Sequence, residues 1–133
     1  MVNALVVDAS AVADYLLRGV RSRPVRLAFR SREATLNVPG LCDVEIVGML
    51  RRLLLTTRID ETRAREMLSE YLALDLRRHA HRPLLARMLS LRDNFSAYDA
   101  SYVALAERLG ARLLTADQRL ARAVRRHAAV ELA

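Results

Sequence analysis

Four acidic residues stand where an alternating chain of strands and helices would gather its chemistry. Asp8 ends the apolar run "ALVV". Glu45 lies among apolar neighbours in "DVEIVGML". Asp99 follows Ser96 by three residues, and Asp117 follows Thr115 by two. In open α/β sheets, functional groups collect beyond the carboxyl ends of the strands. Several carboxylates at one such edge raise one another's pKa, and a divalent cation relieves the repulsion. Carboxylate oxygens suit Mg2+ or Mn2+, and no Cys/His cluster in the sequence argues for zinc. One or two such ions can activate water and steady the charge that develops on a phosphodiester. Each acid also has an ordinary reading. Asp99 suits the first turn of a helix, whose dipole favours negative charge. Glu45 lies either on a solvated face or towards a site.

The remaining reactive side chains offer no rival mechanism. Ser10 has no paired base that would make it a nucleophile. It caps a helix or orients a carboxylate, and Thr115 is a similar hydroxyl beside Asp117. His79, His81 and His127 read as surface or structural, and Cys42 as a small packed hydrophobe. Glu66, Glu70 and Glu107 read as solvated helix faces, and Asp14, Asp43 and Asp93 as surface or capping acids. All 22 basic residues are arginine. The absence of lysine disfavours P-loop NTPases and protein kinases, which need one at the phosphate. It also disfavours receiver domains and haloacid-dehalogenase phosphatases, which normally use a lysine against phosphoryl charge.

The elements that must position these groups are legible as a pattern. Residues 4–7 read as a buried strand, followed by a helix from Ser10 to about Leu17. A helix over 23–31 and a strand over 35–38 follow, the strand stopped by Pro39-Gly40. Helices are expected over 41–55 and after the Asp60 cap, the second with Ala64, Met67, Leu68, Tyr71 and Leu72 on one face. "ALDL" at 73–76 reads as a strand and 83–91 as a helix. Ser96 caps the next helix, with Tyr98, Tyr102, Leu105 and Leu109 on its apolar face and Gly110 as its stop. A strand at 112–115, a helix over 117–126 and a last strand, "AVEL", complete the chain. The alternation predicts an α/β/α sandwich with a mainly parallel central sheet.

A chain of 133 residues, 53% hydrophobic, is long enough for one domain over 1–133 with its own core. A lone cysteine, no membrane-length apolar run and no signal-peptide layout predict a cytoplasmic protein. The net charge of +7 fits a polyanionic partner, although arginine richness also follows from a GC-rich genome. With 5% aromatic residues there is little material for base stacking, so backbone and shape contacts should dominate any nucleic-acid binding.

"VVDASAV", "VEIVGML", "SAYDASYVALAERLG" and "LLTADQRLARA" together resemble the ordered blocks of a PIN-domain ribonuclease, and more narrowly the VapC toxins of type II toxin–antitoxin pairs. The resemblance implies a single PIN-like domain and a Mg2+- or Mn2+-dependent endoribonuclease acting on single-stranded or looped RNA. Asp8 and Asp99 would be the principal metal ligands. Glu45 would ligate directly or through water, and Asp117 through water or at a second metal. Ser10 and Thr115 match hydroxyl positions beside the site. The family also implies a homodimer and a small cognate antitoxin. Arg51, Arg52, Arg112, Arg119 and Arg122 are candidates for holding the RNA backbone around the acids, or else lie on solvated faces. The alternatives are a housekeeping RNA or DNA nuclease of the same fold, and an inactive RNA- or protein-binding module.

Overall fold

The computed structural model describes residues 3–18 and 22–133. In chain order the elements are β1 (Asn3–Val7), α1 (Ala9–Leu17), α2 (Ser22–Arg30), β2 (Ala34–Pro39), α3 (Leu41–Leu55) and α4 (Glu61–Ala73). Then come β3 (Leu76–His79), a 3-10 turn (Arg82–Leu84), α5 (Leu85–Ser90), α6 (Ala97–Leu109), β4 (Arg112–Leu114) and α7 (Gln118–His127). The strands form one parallel sheet in the order β3-β2-β1-β4. The helices flank it, which is the α/β/α arrangement expected. β1 is central, and Leu5, Val6 and Val7 are all buried, as a strand covered on both faces requires.

The strand order decides where the acids meet. From β1 the chain crosses to β2 on one side, and β4 returns on the other, so the sheet's direction of growth reverses between β1 and β4. Such a switch point opens a crevice at the carboxyl edge. Val7 pairs with Leu114, so Asp8 and Thr115 leave the sheet side by side. Helix α6 precedes β4 and ends in Gly110, whose φ of 60° is the left-handed turn that favours glycine. Running back against the parallel strands, α6 brings its N-terminus, and Asp99 with it, to the same edge.

Several expected boundaries move, each for a local reason. Ser10 does not cap α1; Asp8 does, accepting from Ala11 N at 2.9 Å. The strand expected at 73–76 starts at Leu76, because α4 runs on through Ala73. β3 is an edge strand with only Leu76 buried and with Arg77 and Arg78 exposed, so no apolar run marks it. "AVEL" forms only an isolated bridge, Leu113 with Leu132, beside β4. The helix expected over 83–91 begins as the 3-10 turn, and α7 starts one residue later than expected because Asp117 is its cap. Leu72 and Tyr98, expected on buried faces, are 68% and 62% exposed. The Asp60 and Ser96 caps form as expected, accepting from Arg63 N and Asp99 N.

Candidate active site

Asp8 is 4% exposed, and both its oxygens are held by the chain. Oδ1 accepts from Ser10 Oγ at 2.7 Å and from Ala11 N; Oδ2 accepts from Thr115 Oγ1 at 2.5 Å. The hydroxyls are used at both ends. Ser10 Oγ accepts from Ala116 N at 3.0 Å and Thr115 Oγ1 from Asp117 N at 3.0 Å. This network ties the loop after β4 to the first turn of α1. Burial pushes the Asp8 carboxyl up to about 6, outweighing the hydrogen bonds from Thr115, Ser10 and Ala11; the negative charge of Asp117 adds to the rise.

Glu45 sits on the second turn of α3, half-buried. Tyr102 Oη donates to its Oε1 at 2.6 Å. Burial raises the Glu45 pKa against that hydrogen bond, with Asp99 raising it further and Arg52 opposing. Asp99 and Tyr102 lie three residues apart on α6, so they share a face one turn from each other. A buried tyrosine hydroxyl seeks a polar partner, and Glu45 is the one it finds. Asp117 caps α7, accepting from Arg119 N and Leu120 N. The Arg119 guanidinium bridges the last gap: Nη2 lies 2.9 Å from Asp99 Oδ2 and 3.2 Å from Asp117 Oδ2.

The four carboxylates thus form a continuous electrostatic series, Glu45 to Asp99, through Arg119 to Asp117, then to Asp8. Each is bonded to a donor of the chain, and among the described residues no three His, Cys, Asp or Glu side chains converge as an ion-holding group. The donor set nevertheless fits a hard divalent cation: it is all carboxylate oxygen, two members have raised pKa values, and a cationic group already bridges Asp99 and Asp117.

Comparison with known families matches the PIN domain over residues 5–126. The chain is a member of the PIN-domain family. Ribonuclease VapC9 of Mycobacterium tuberculosis is 43% identical over 116 residues, 87% of each chain. Ribonuclease VapC12 of the same species is 34% identical over 128 residues, 96% of this chain and 98% of the relative. Among solved structures, VapBC2 from Rickettsia felis, bound to a promoter DNA fragment, has the same fold. It superposes with a TM-score of 0.73 at 12% identity, covering 98% of this chain and 97% of that one.

Within this PIN domain the expected arginines separate. Arg119 lies among the acids. Arg52 acts on Glu45 through its charge, and Arg122 is exposed one turn beyond Arg119 on α7. Arg51 does not face the acids; it lines a groove between α3 and α4 with Val47, Leu54, Ala64 and Leu68. Arg112 also stands apart from the acids. It begins β4, pairs in register with Leu5 and lines a pocket with Asn3 and Ala34, at the amino edge of the sheet.

Sequence reasoning missed the partners of two supporting residues, Tyr102 and His81. Tyr102 was assigned to apolar packing, although its three-residue spacing from Asp99 was a usable signal. His81 Nε2 accepts from Leu41 N at 3.0 Å, capping α3 where Gly40 has no side chain to do so. No local signal links positions 40 apart. His79 holds the buried Asn37 side chain at 2.9 Å, so both histidines are structural, as expected. Asp43 is braced by Tyr71 and Arg78 while its side chain stays 44% exposed, a surface acid as expected. Glu66 and Glu70 pair with Arg63, and Glu107 with Arg87. Asp14 has a buried oxygen, Oδ2, without a hydrogen-bond partner among the described residues. Cys42 is fully buried, with its thiol pushed up by burial, and packs as expected.

Proposed function

We propose that this chain, taken as one domain over 1–133, is a divalent-metal-dependent endoribonuclease and the toxin of a type II toxin–antitoxin pair. One observation carries the reading: in a PIN-domain chain, carboxylates from the ends of β1 and β4, the second turn of α3 and the first turn of α6 form one electrostatic series at the sheet's switch point. Asp8, Asp99 and Glu45 would hold Mg2+ or Mn2+, with Asp117 binding directly or through water. The ion would supply water activation and charge neutralisation at the phosphodiester.

The chain's own residues do the positioning. Ser10 and Thr115 fix both oxygens of Asp8, and Tyr102 fixes Oε1 of Glu45. Glu45 Oε2 then remains to hold a water or pass a proton. Hydrolysis adds water across a P–O bond: a new P–O bond forms to the water oxygen, the ester bond breaks, and the leaving oxygen takes a proton. Arg52 and Arg122 would hold phosphate oxygens beside the acids. Two exposed apolar groups support partners. Val44, Val47 and Leu55 lie on α3, and Leu85 and Leu89 on α5, suited to an antitoxin segment and a second copy of the chain. The relatives' names as ribonucleases and the VapBC pairing of the Rickettsia felis neighbour agree with this reading.

The test is cleavage of a mixed cellular RNA pool by wild type and Asp99→Asn, each with Mg2+, Mn2+ or chelator. Discrete metal-dependent cuts by wild type, lost in the variant, are expected. Cuts that persist in Asp99→Asn or in chelator would remove the assignment.

A further inference from the structure

We infer that Arg119 is the resident counter-ion of Asp99 and Asp117, and that it gives up both carboxylates when a divalent cation binds. The inference rests on the metal-centre reading above. A single nitrogen, Nη2, spans the two acids, and it takes the Oδ2 atom of each. The acids belong to different elements: Asp99 to the first turn of α6, Asp117 to the cap of α7. The bridge is therefore tertiary and does not follow from helix geometry alone.

Exposure shows from which side the guanidinium arrives. The Arg119 side chain is 65% exposed, against 18% for Asp99 and 33% for Asp117. It covers the acids from the solvent side, with its stem rooted in the first turn of α7. Its side-chain hydrogen bonds among the described residues are these two alone. Nothing else would hold it in place once they were lost. A guanidinium carries one positive charge over a planar group and meets these oxygens at 2.9 and 3.2 Å. A divalent ion carries two charges and meets carboxylate oxygen at about 2.0–2.2 Å. The ion wins the shared oxygens, and Arg119 leaves along the open side.

The rest of the acidic series explains why a counter-ion is needed. Asp99 raises the pKa of Glu45, and Asp117 raises that of Asp8. Asp99 and Asp117 are the two acids without a hydroxyl donor, and Arg119 takes the role that Tyr102 has for Glu45 and Thr115 for Asp8. Hydroxyls can keep orienting a carboxylate that ligates a cation; a guanidinium in the same place repels one.

The experiment is a Mn2+ titration of chelator-stripped, RNA-free protein, followed by loss of the free-ion electron paramagnetic resonance signal. Wild type, Arg119→Gln and Arg125→Gln are compared, since Arg125 is an exposed arginine of the same helix with no bond to the acids. Arg119→Gln is expected to bind Mn2+ about three- to tenfold more tightly than wild type, the size that exposed ion pairs allow. Arg125→Gln is expected to stay within about twofold, because a screened distant charge changes little. Equal or weaker binding by Arg119→Gln overturns the inference and leaves the metal centre standing. Equal tightening in both variants also overturns it, since net charge alone would then be responsible. No Mn2+ binding by any of the three removes the metal centre and this inference together.

Discussion

Asp8→Asn tests whether burial of a charge just past the carboxyl end of β1 strains the metal-free fold. The Asp8 carboxyl rises from 3.8 to about 6, chiefly through burial. That difference is worth about 3 kcal/mol. The folded pKa lies above the unfolded one, so the folded state binds the proton more tightly. The contribution is fully present below about pH 4 and is lost as pH rises through about 6. Above pH 7, metal-free wild type therefore carries an ionised, buried Asp8 that asparagine would not impose. The substitution has its own cost. The amide nitrogen turned towards Thr115 would leave that hydroxyl's proton without its acceptor, at about 1 kcal/mol. Asp8→Asn should thus be more stable than wild type by about 2 kcal/mol at pH 7.5 in chelator, and should lose the advantage by pH 4.5. Urea unfolding followed by far-ultraviolet circular dichroism at these two values gives the difference directly. Other titrating groups are common to both proteins and cancel, except for the coupling of Asp117 to Asp8, which is part of the measured difference. Parallel stability–pH curves for the two proteins would refute the reasoning.

Two further outcomes are expected. Tyr102→Phe keeps the buried ring but removes the donor to Glu45; RNA cleavage should fall about tenfold with the melting temperature little changed, because the loss is one of orientation. Normal activity in that variant would show that Glu45 needs no such support. His81→Ala removes the acceptor for Leu41 N and should cost about 1 kcal/mol in urea unfolding, the usual worth of a helix cap; an unchanged midpoint would mean that water replaces it fully.

The elements easiest to read were those whose signals are local. The Asp60 and Ser96 caps each bond to a backbone N–H three residues on, and Gly110 occupies a left-handed turn at its own position. The apolar run 4–7 needs no partner to be recognised as a buried strand. β3 was harder: at a sheet edge it buries little, and its pairing with β2, Leu36 to Leu76, spans 40 positions. "AVEL" has strand composition, but it meets β4 at one bridge, so its pattern was not matched by a ladder.

By itself, the sequence determined the alternation of strands and helices, the identity of the four acids and their position at the ends of elements. These depend on side-chain period, caps and turn residues, which act within a few positions. Tertiary structure alone decided which groups face the acids. Strand order put β1 between β2 and β4, so Thr115 reaches Asp8 and Tyr102 reaches Glu45. The same order sent Arg112 to the opposite edge, while the packing of α4 against α3 turned Arg51 towards its groove. Arg119 passed from a possible backbone contact to the bridge between Asp99 and Asp117. Hydrogen bonds and charge act over a few ångströms of space, and separation along the chain carries no record of that distance.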